Sequence, residues 1–350
     1  MQKALKYEGI DIFTLFKGLQ LDIGAPPQFM DFRYTVHDRW HGEFHLDHCG
    51  ALLDVEPMGE DYVKGMCHDI EDPTFDATAL ATNRKAQVRP IHRPPRTPSD
   101  QHPHCRWTVI IDESYPEVPF IPAMDIVAAT HAHACELDPI DPNDEGMADY
   151  SGPLLADVDF GAFSHSALVR IADEVCLQMH LLVKSFTIAV EARAKDDVAL
   201  AQSVRTKQLI GIAGVAAERI HKALKLSTDI KGALRVLELH PLLNPAAYVY
   251  ADVDPESVHV RRSPPSEDDS WITLVSPAAD LPLQAIVQAV DPHLRAEVSG
   301  TESDWTVRVI ETATAAKKLP EVAVTEFRGG ASWAFEARKP LPLTVVRARR

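Results

Sequence analysis

Residues 163–194 read FSHSALVRIADEVCLQMHLLVKSFTIAVEARA. Apolar side chains fall on almost every side of the long helix that this stretch predicts, a pattern typical of a helix buried at the centre of a protein. A second long helix is predicted over residues 197–226, with Asp196 or Asp197 as its N-cap, and a third over residues 229–239. The middle of the chain is therefore predicted to be helical.

On the C-terminal side of this helical region, residues 160–245, the pattern changes to short alternating strands in residues 246–350. One helix is predicted among them, over residues 281–292. The candidate strands are YVYADV (248–253), SVHVRR (257–262), SWITLVS (270–276), WTVRVIE (305–311), VAVTEF (322–327) and SWAFEA (332–337). Because strands and helices occupy separate parts of the chain, we predict an α+β fold rather than a parallel α/β sheet.

On the N-terminal side, residues 1–138 are predicted to form a His- and Cys-rich α+β domain. The acidic residues 139–159 contain Pro and Gly and are predicted to be a linker. A helix is predicted over residues 33–48 and ends at Gly50.

A second N-terminal helix is predicted over residues 60–70. It is expected to end at Asp72-Pro73, because a residue before proline avoids the helical conformation. The five prolines of RPIHRPPRTPSDQHPH (89–104) predict an irregular loop, which leads into a strand over residues 106–111.

Charge and composition exclude several classes of function. A net charge of -16 argues against nucleic-acid binding, which needs a basic surface. The chain has no apparent secretory signal and no apolar run of the roughly 18 residues that cross a bilayer, so we expect a cytoplasmic protein without a membrane partner. No glycine-rich phosphate loop is present, so no nucleotide cofactor is predicted. The sequence leaves a homo-oligomer open.

Ten of the 16 histidines and four of the five cysteines lie between His37 and Cys135. In YTVHDRWHGEFHLDHCG (34–50), four histidines share one face of the predicted helix. Neutral imidazoles spaced four residues apart can bind one metal ion. The alternative is a polar helix face without a ligand.

Three cysteines each follow or precede a histidine, which pairs two good ligands for zinc or iron. The predicted metal ligands are His41, His45, His48, Cys49, His104 and Cys105. In MCHDIED (66–72), the predicted catalytic residues are Cys67, His68 and Asp69. Cys67 would be the thiol nucleophile, His68 the base, and Asp69 the carboxylate that orients the base. The alternative reading is a small core cysteine and a histidine at a helix end.

Arg93 and Arg96 lie close together in the proline-rich loop. Guanidinium groups match carboxylates and phosphates, so these two are predicted to bind a substrate anion. The alternative is a solvated loop whose arginines pair with nearby carboxylates.

Two further groups are weaker candidates. Asp173, Cys176 and His180 share one face of the central helix, as functional residues or as a buried hydrogen-bond network. In THAHACE (130–136), strand alternation would place the two histidines and the cysteine on one face.

HCGALLDVEPMGEDYVKGMCHDIEDP (48–73), followed by HCRWTVIID (104–112), resembles the L-2-amino-thiazoline-4-carboxylate hydrolase family. The resemblance covers residues 32–112. It matches Cys49, Cys67 with Asp69, and Cys105 to the cysteines of that family, and it implies a hydrolase.

The leading hypothesis is an enzyme of small-molecule metabolism, hydrolase-like, dependent on zinc or iron or on a Cys/His pair, and acting on an anionic organic substrate. The alternatives are a non-catalytic protein that binds an apolar small molecule, and an accessory subunit of a partner enzyme.

Overall fold

A computed structural model describes residues 1–27, 29–244, 248–325 and 344–345. It confirms the α+β class, with helices and two largely antiparallel sheets. The chain divides into two compact units. Within the described residues, the first comprises residues 1–120, 139–171 and 344–345, and the second comprises residues 121–138 and 172–325. Residues 139–159, predicted as a linker, therefore group with the first unit, and the division falls within a helix after Ile171.

The first unit is built around a β-hairpin, where the sequence predicted a helix over residues 33–48. Strand β1 (Met30–Val36) pairs antiparallel with β2 (His41–Cys49). Burial alternates along β2, with Phe44 and Leu46 in the core. Histidines four residues apart share a face in a strand as well as in a helix, so their spacing did not separate the two structures.

The hairpin lies in a five-stranded sheet of order β3-β4-β2-β1-β9, with β9 (Thr344–Val345) parallel to β1. The other strands are β3 (Ala86–His92) and β4 (Cys105–Ile111). Helix α1 (Ile12–Gln20) packs on the inner face of this sheet. A Cβ atom at Gly42 would lie only 2.8 Å from Ile12 and Phe16 side chains, so glycine permits this approach.

A continuous helical run follows the hairpin. It consists of α3 (Glu60–Lys64), a π-helical turn (Gly65–Ile70) and α4 (Glu71–Leu80). The predicted stop at Pro73 is wrong. Pro73 stands in the first turn of α4, directly after the π-helical turn, and the helical run continues through it. The short helix α2 (Gly50–Val55) links β2 to this run.

The proline-rich segment is partly a strand. Arg89 to His92 belong to β3, which the sequence placed in the irregular loop. Because β3 is the edge strand of the sheet order, Pro90 is tolerated there. The strand predicted over residues 106–111 is confirmed as β4, and the residues between β3 and β4 form the loop, which we call the strap (residues 93–104).

The second unit contains most of the helices. The three predicted central helices are confirmed, and Asp197 is the N-cap of α7, accepting a hydrogen bond from Leu200 N at 2.9 Å. The helices after the first unit's run are α5 (Ala123–Ala128), α6 (His165–Ala194, shared with the first unit), α7 (Val198–Leu224), α8 (Ile230–Leu239), α9 (Leu281–Val290) and α10 (Pro320–Thr325).

The sheet of the second unit has the order β5-β6-β8-β7 and is antiparallel. Its strands are β5 (Tyr250–Val253), β6 (Ser257–Arg261), β7 (Leu294–Gly300) and β8 (Asp304–Glu311). The sequence missed β7. It also predicted strands where residues 271–274 form a 3-10 turn and where α10 is helical. The predicted strand 332–337 lies outside the described residues.

Helix α6 is less buried than its sequence predicted, because most of its side chains are only half-buried. Among the described residues it is also the helix long and apolar enough to cross a bilayer, with a mean hydropathy of 1.3 over 18 residues. One such helix is weak evidence for a membrane span, since core helices of soluble proteins pass the same test. Cytoplasmic localisation stays a prediction.

Candidate functional site

The structure brings three cysteines of the first unit to one small cavity. Cys49 ends β2, Cys67 lies in the π-helical turn and Cys105 begins β4. Together with Glu71 and His104 they line a cavity whose free volume of about 10 Å³ matches one water-sized sphere. The remaining lining residues are Met30, Leu46, Leu52, Phe75, Pro94 and Trp107.

All three thiols are held in the neutral form. Burial raises the pKa of Cys49 to about 12, although the Leu52 N–H, 3.4 Å from its sulfur, acts in the opposite direction. Burial likewise raises the pKa of Cys67 to about 12 and that of Cys105 still further. Arg93 opposes this effect at Cys67. Cys49, Glu71 and Glu56 each raise the pKa of Cys67 by more than Arg93 lowers it, so this thiol also stays neutral.

Glu71 is the carboxyl of this cavity. Burial raises its pKa from 4.5 to about 7, and the nearby Asp72 carboxylate adds to the rise. No hydrogen bond to the Glu71 carboxylate is found in the described ranges to offset the burial. A carboxyl that titrates near neutral pH is suited to general acid–base chemistry. Glu71 is not among the residues predicted from the sequence, although it lies four residues after Cys67 on the same helical run.

His104 completes the polar wall of the cavity. Its side chain is buried, and within the described chain its Nδ1 atom has no hydrogen-bond partner. Burial lowers the pKa of His104, and Arg96 adds to this effect, so the ring is neutral at pH 7. The His48 ring lies 6.5 Å from it and the His102 ring 4.9 Å, measured between centroids.

The other two predicted catalytic residues lie away from this arrangement. His68 Nε2 is 2.7 Å from the Pro94 carbonyl oxygen, so the imidazole donates to the strap. Asp69 is exposed. His68 therefore holds the strap against the π-helical turn, and Asp69 does not orient it.

Arg93 and Arg96 both pair with nearby carboxylates, as the alternative interpretation of this loop proposed. The partners lie in the helical segments that follow β2. Arg96 forms a two-pronged pair with Glu56, with Nε to Oε1 at 2.8 Å and Nη2 to Oε2 at 2.7 Å. Arg93 pairs with Asp72. These two ion pairs hold the strap over the cavity.

The six predicted metal ligands do not converge on one point. Within the described part of the chain, the one group of three ligand atoms within 4.8 Å of one another belongs to His37, His41 and Glu43. His41 is thus the only member of the predicted set found in that group. His45 instead lies 3.4 Å from Asp47, between Nε2 and Oδ1.

Of the predicted Asp173, Cys176 and His180 group in the second unit, His180 is buried beside Tyr248 and Asp268. The His180 ring packs 5.6 Å from the Tyr248 ring, and its Nε2 lies 3.4 Å from Asp268 Oδ2. Asp268 also accepts hydrogen bonds from the backbone N–H groups of His131 and Ala132, at 2.8 and 2.9 Å.

The segment around His131 is a series of turns, so the strand alternation predicted for residues 130–136 is wrong. The side chains of the predicted face have different partners. His131 Nδ1 lies 3.1 Å from Asp268, whereas the side chain of His133 is exposed. His131 and Ala132 therefore anchor this loop to Asp268.

A second cavity, of about 270 Å³, lies in the second unit between β6, β8 and the 3-10 turns at Pro264–Glu267 and Trp271–Leu274. Charged side chains, among them Arg261, Arg262, Glu267 and Asp269, line it beside Trp305. Such a lining does not favour the apolar ligand considered from the sequence.

Comparison with known protein families, with curated proteins and with solved structures gave no match to this chain. The resemblance to the thiazoline-carboxylate hydrolases therefore stays a prediction.

Proposed function

We propose that the first unit carries the active site of a hydrolase-like, cytoplasmic enzyme that acts on a small anionic organic substrate. The observation that carries the proposal is the cavity in which Glu71, with a pKa of about 7, accompanies the Cys67 thiol. A base that is half ionised at neutral pH beside a nucleophile is the combination that thiol-dependent hydrolysis requires.

In the proposed reaction, Cys67 is the nucleophile and Glu71 the base. The Cys67 sulfur attacks the electrophilic carbon while its proton passes to the Glu71 carboxylate. Glu71 then gives this proton to the leaving group as the bond to that group breaks. A water molecule next attacks the thioester and gives a proton to Glu71. The carbon–sulfur bond breaks, and the proton returns to Cys67.

Substrate entry requires the strap to move, because the closed cavity has room for about one water molecule. A substrate anion would bind to Arg93 and compete with the Asp72 carboxylate for it. The Arg93 and Asp72 side chains keep 23% and 43% of their surface exposed. A substrate carboxylate that replaces Asp72 on Arg93 would free the strap and lie beside Cys67.

Hydrolysis of mono-4-nitrophenyl succinate, a small anionic ester, by the full chain tests this proposal. Cys67→Ala and Glu71→Gln are each expected to reduce kcat by about 100-fold or more, the usual contribution of such groups. Asp69→Asn is the matched control, since this carboxylate is exposed on the same turn, and it should keep the wild-type rate. Full activity in Cys67→Ala would overturn the assignment.

Alkylation gives a second measurement that does not depend on the choice of ester. Iodoacetate is anionic and iodoacetamide is neutral, so their rates at Cys67 report the charge preference of the site. Relative to free cysteine, we expect Cys67 to favour iodoacetate, and Arg93→Gln to remove that preference. Equal preference in wild type and Arg93→Gln would exclude Arg93 as the anion contact.

A further inference from the structure

The outer face of the β1–β2 hairpin carries a second cluster of reactive side chains. The register that pairs Thr35 with Glu43 also places His37 opposite His41 across the turn. Because side chains alternate along a strand, His41 and Glu43 share one face of β2, and the cross-strand neighbour His37 joins them. The core residues of β2 point the other way.

The contacts within this cluster are short. His37 Nε2 lies 3.1 Å from Glu43 Oε1, and the two imidazole rings have centroids 4.4 Å apart. His41 Nε2 lies 3.1 Å from Thr108 Oγ1 on β4. One ligand atom from each of His37, His41 and Glu43 lies within 4.8 Å of the others.

The hairpin turn fixes these positions. The backbone N–H groups of His37 and Asp38 both donate to the His41 carbonyl oxygen, each at 3.1 Å. The Asp38 carboxylate in turn accepts from the N–H groups of Trp40 and His41, at 2.7 and 3.0 Å. The two histidines are therefore held opposite each other by the backbone, which lowers the entropy cost of binding one ion together.

We propose that His37, His41 and Glu43 form a binding site for a divalent first-row transition metal such as Zn²⁺. Imidazole nitrogen and carboxylate oxygen are ligands that such ions prefer, and three protein ligands leave further positions for water. The His37 ring exchanges its hydrogen bond to Glu43 for the ion. Arg106 Nε, 2.8 Å from Glu43 Oε2, stays on the other carboxylate oxygen and orients it.

Burial supports binding by these side chains. The side chains of His37 and Glu43 keep 26% and 14% of their surface exposed, so the ligands are shielded while an ion can still reach them. The site lies on the opposite face of β2 from the thiol-lined cavity. It is independent of the proposed hydrolysis, because no residue belongs to both.

Calorimetric titration of the full chain with ZnCl₂ tests the site. We expect one Zn²⁺ per chain, and binding at least about tenfold weaker in His37→Ala, His41→Ala and Glu43→Gln, since even outer-shell changes cost about 10- to 100-fold. His45→Ala is the matched control, because it removes a histidine from the same strand and face but outside the cluster. Its affinity should stay within about twofold of wild type. Thermal unfolding confirms that each variant folds.

The absorption spectrum of bound Co²⁺ identifies the type of ligand atom at the site. A Co²⁺-loaded chain should lack the intense near-ultraviolet absorption of thiolate–cobalt bonds, because the site offers nitrogen and oxygen only. Cys67→Ala should bind Zn²⁺ as wild type does, because the two sites share no residue. Absence of Zn²⁺ binding, unchanged affinity in the three ligand variants, or a thiolate absorption band would each overturn the proposal.

Discussion

The two faces of strand β2 place similar chemistry in opposite environments. On the inner face, Phe44 and Leu46 are buried, and Cys49 at the strand end joins a small cavity where thiols stay protonated and Glu71 titrates near neutral pH. On the outer face, His41 and Glu43 are half-buried and hydrogen-bonded. The degree of burial therefore determines what the side chains on each face of β2 can do. The inner groups hold protons, whereas the outer groups are free to exchange a hydrogen bond for a metal ion.

The largest expected loss of stability comes from a substitution on the inner face of β2. Phe44 is fully buried, with its ring centroid 5.3 Å from Phe32, 5.0 Å from Phe75 and 6.3 Å from Trp107. Phe44→Ala should lower the free energy of unfolding by about 3–5 kcal/mol, because it leaves a cavity among these rings. Urea denaturation measures the change. A loss below about 1 kcal/mol would contradict the assignment of Phe44 to the core.

The second effect concerns the buried carboxyl. The folded-state pKa of Glu71 is about 7 and its ordinary value is 4.5, so between these values the folded chain holds a proton that the unfolded chain has lost. Stability therefore rises as the pH falls through 7, and ionised Glu71 costs about 3 kcal/mol above that pH. Glu71→Gln should be more stable than wild type at pH 8 and about equal to it below pH 4.5.

Urea denaturation of wild type and Glu71→Gln across this pH range measures the difference. Asp69→Asn is the control, since an exposed carboxylate should leave the wild-type pH dependence unchanged. Parallel curves for wild type and Glu71→Gln would show that Glu71 is not desolvated.

A substitution in the strap is expected to cause an intermediate loss of stability. Arg96→Gln removes a two-pronged pair in which the Arg96 side chain is only 11% exposed, so we expect a loss of about 1–3 kcal/mol. Cys67 and Cys105 should then react faster with iodoacetamide. Arg89→Gln breaks a more exposed pair with Asp76 and should cost less than about 1 kcal/mol. Equal losses in the two variants would argue against a closed strap.

The smallest expected change in stability belongs to His45, the residue next to Phe44. His45 neighbours Phe44 on β2, but its side chain is 32% exposed. His45→Ala should change the unfolding free energy by no more than about 0.5 kcal/mol, as is usual for surface substitutions. A loss close to that of Phe44→Ala would show that the outer face contributes to the core.

The sequence predicted the α+β class and the long helices, because their apolar periodicity extends over many turns. It misassigned the hairpin, since histidines four residues apart share a face in either structure. The alternation of Phe44 and Leu46 with polar neighbours carried the strand signal. Residues 271–274 and α10 were misassigned because short apolar runs fit a strand or a helix equally well.

The candidate site was predicted in part. The cysteines were selected from their neighbours in sequence, and the structure brings Cys49, Cys67 and Cys105 to one cavity. Glu71 was missed, because the pKa of a carboxyl depends on burial by residues distant in sequence. The pairing of His37 with Glu43 also depends on strand register, which a helical interpretation could not supply.

The proposed hydrolysis depends above all on the protonation state of Glu71, which a titration of this carboxyl measures. Carbon-13 NMR of glutamate side chains in the full chain, with Glu71→Gln to identify the resonance, gives the pKa of this carboxyl. We expect a midpoint of about 7, raised by burial in the thiol-lined cavity. A midpoint near the ordinary 4.5 would mean that the carboxyl is solvated, and would contradict its role as the base for Cys67.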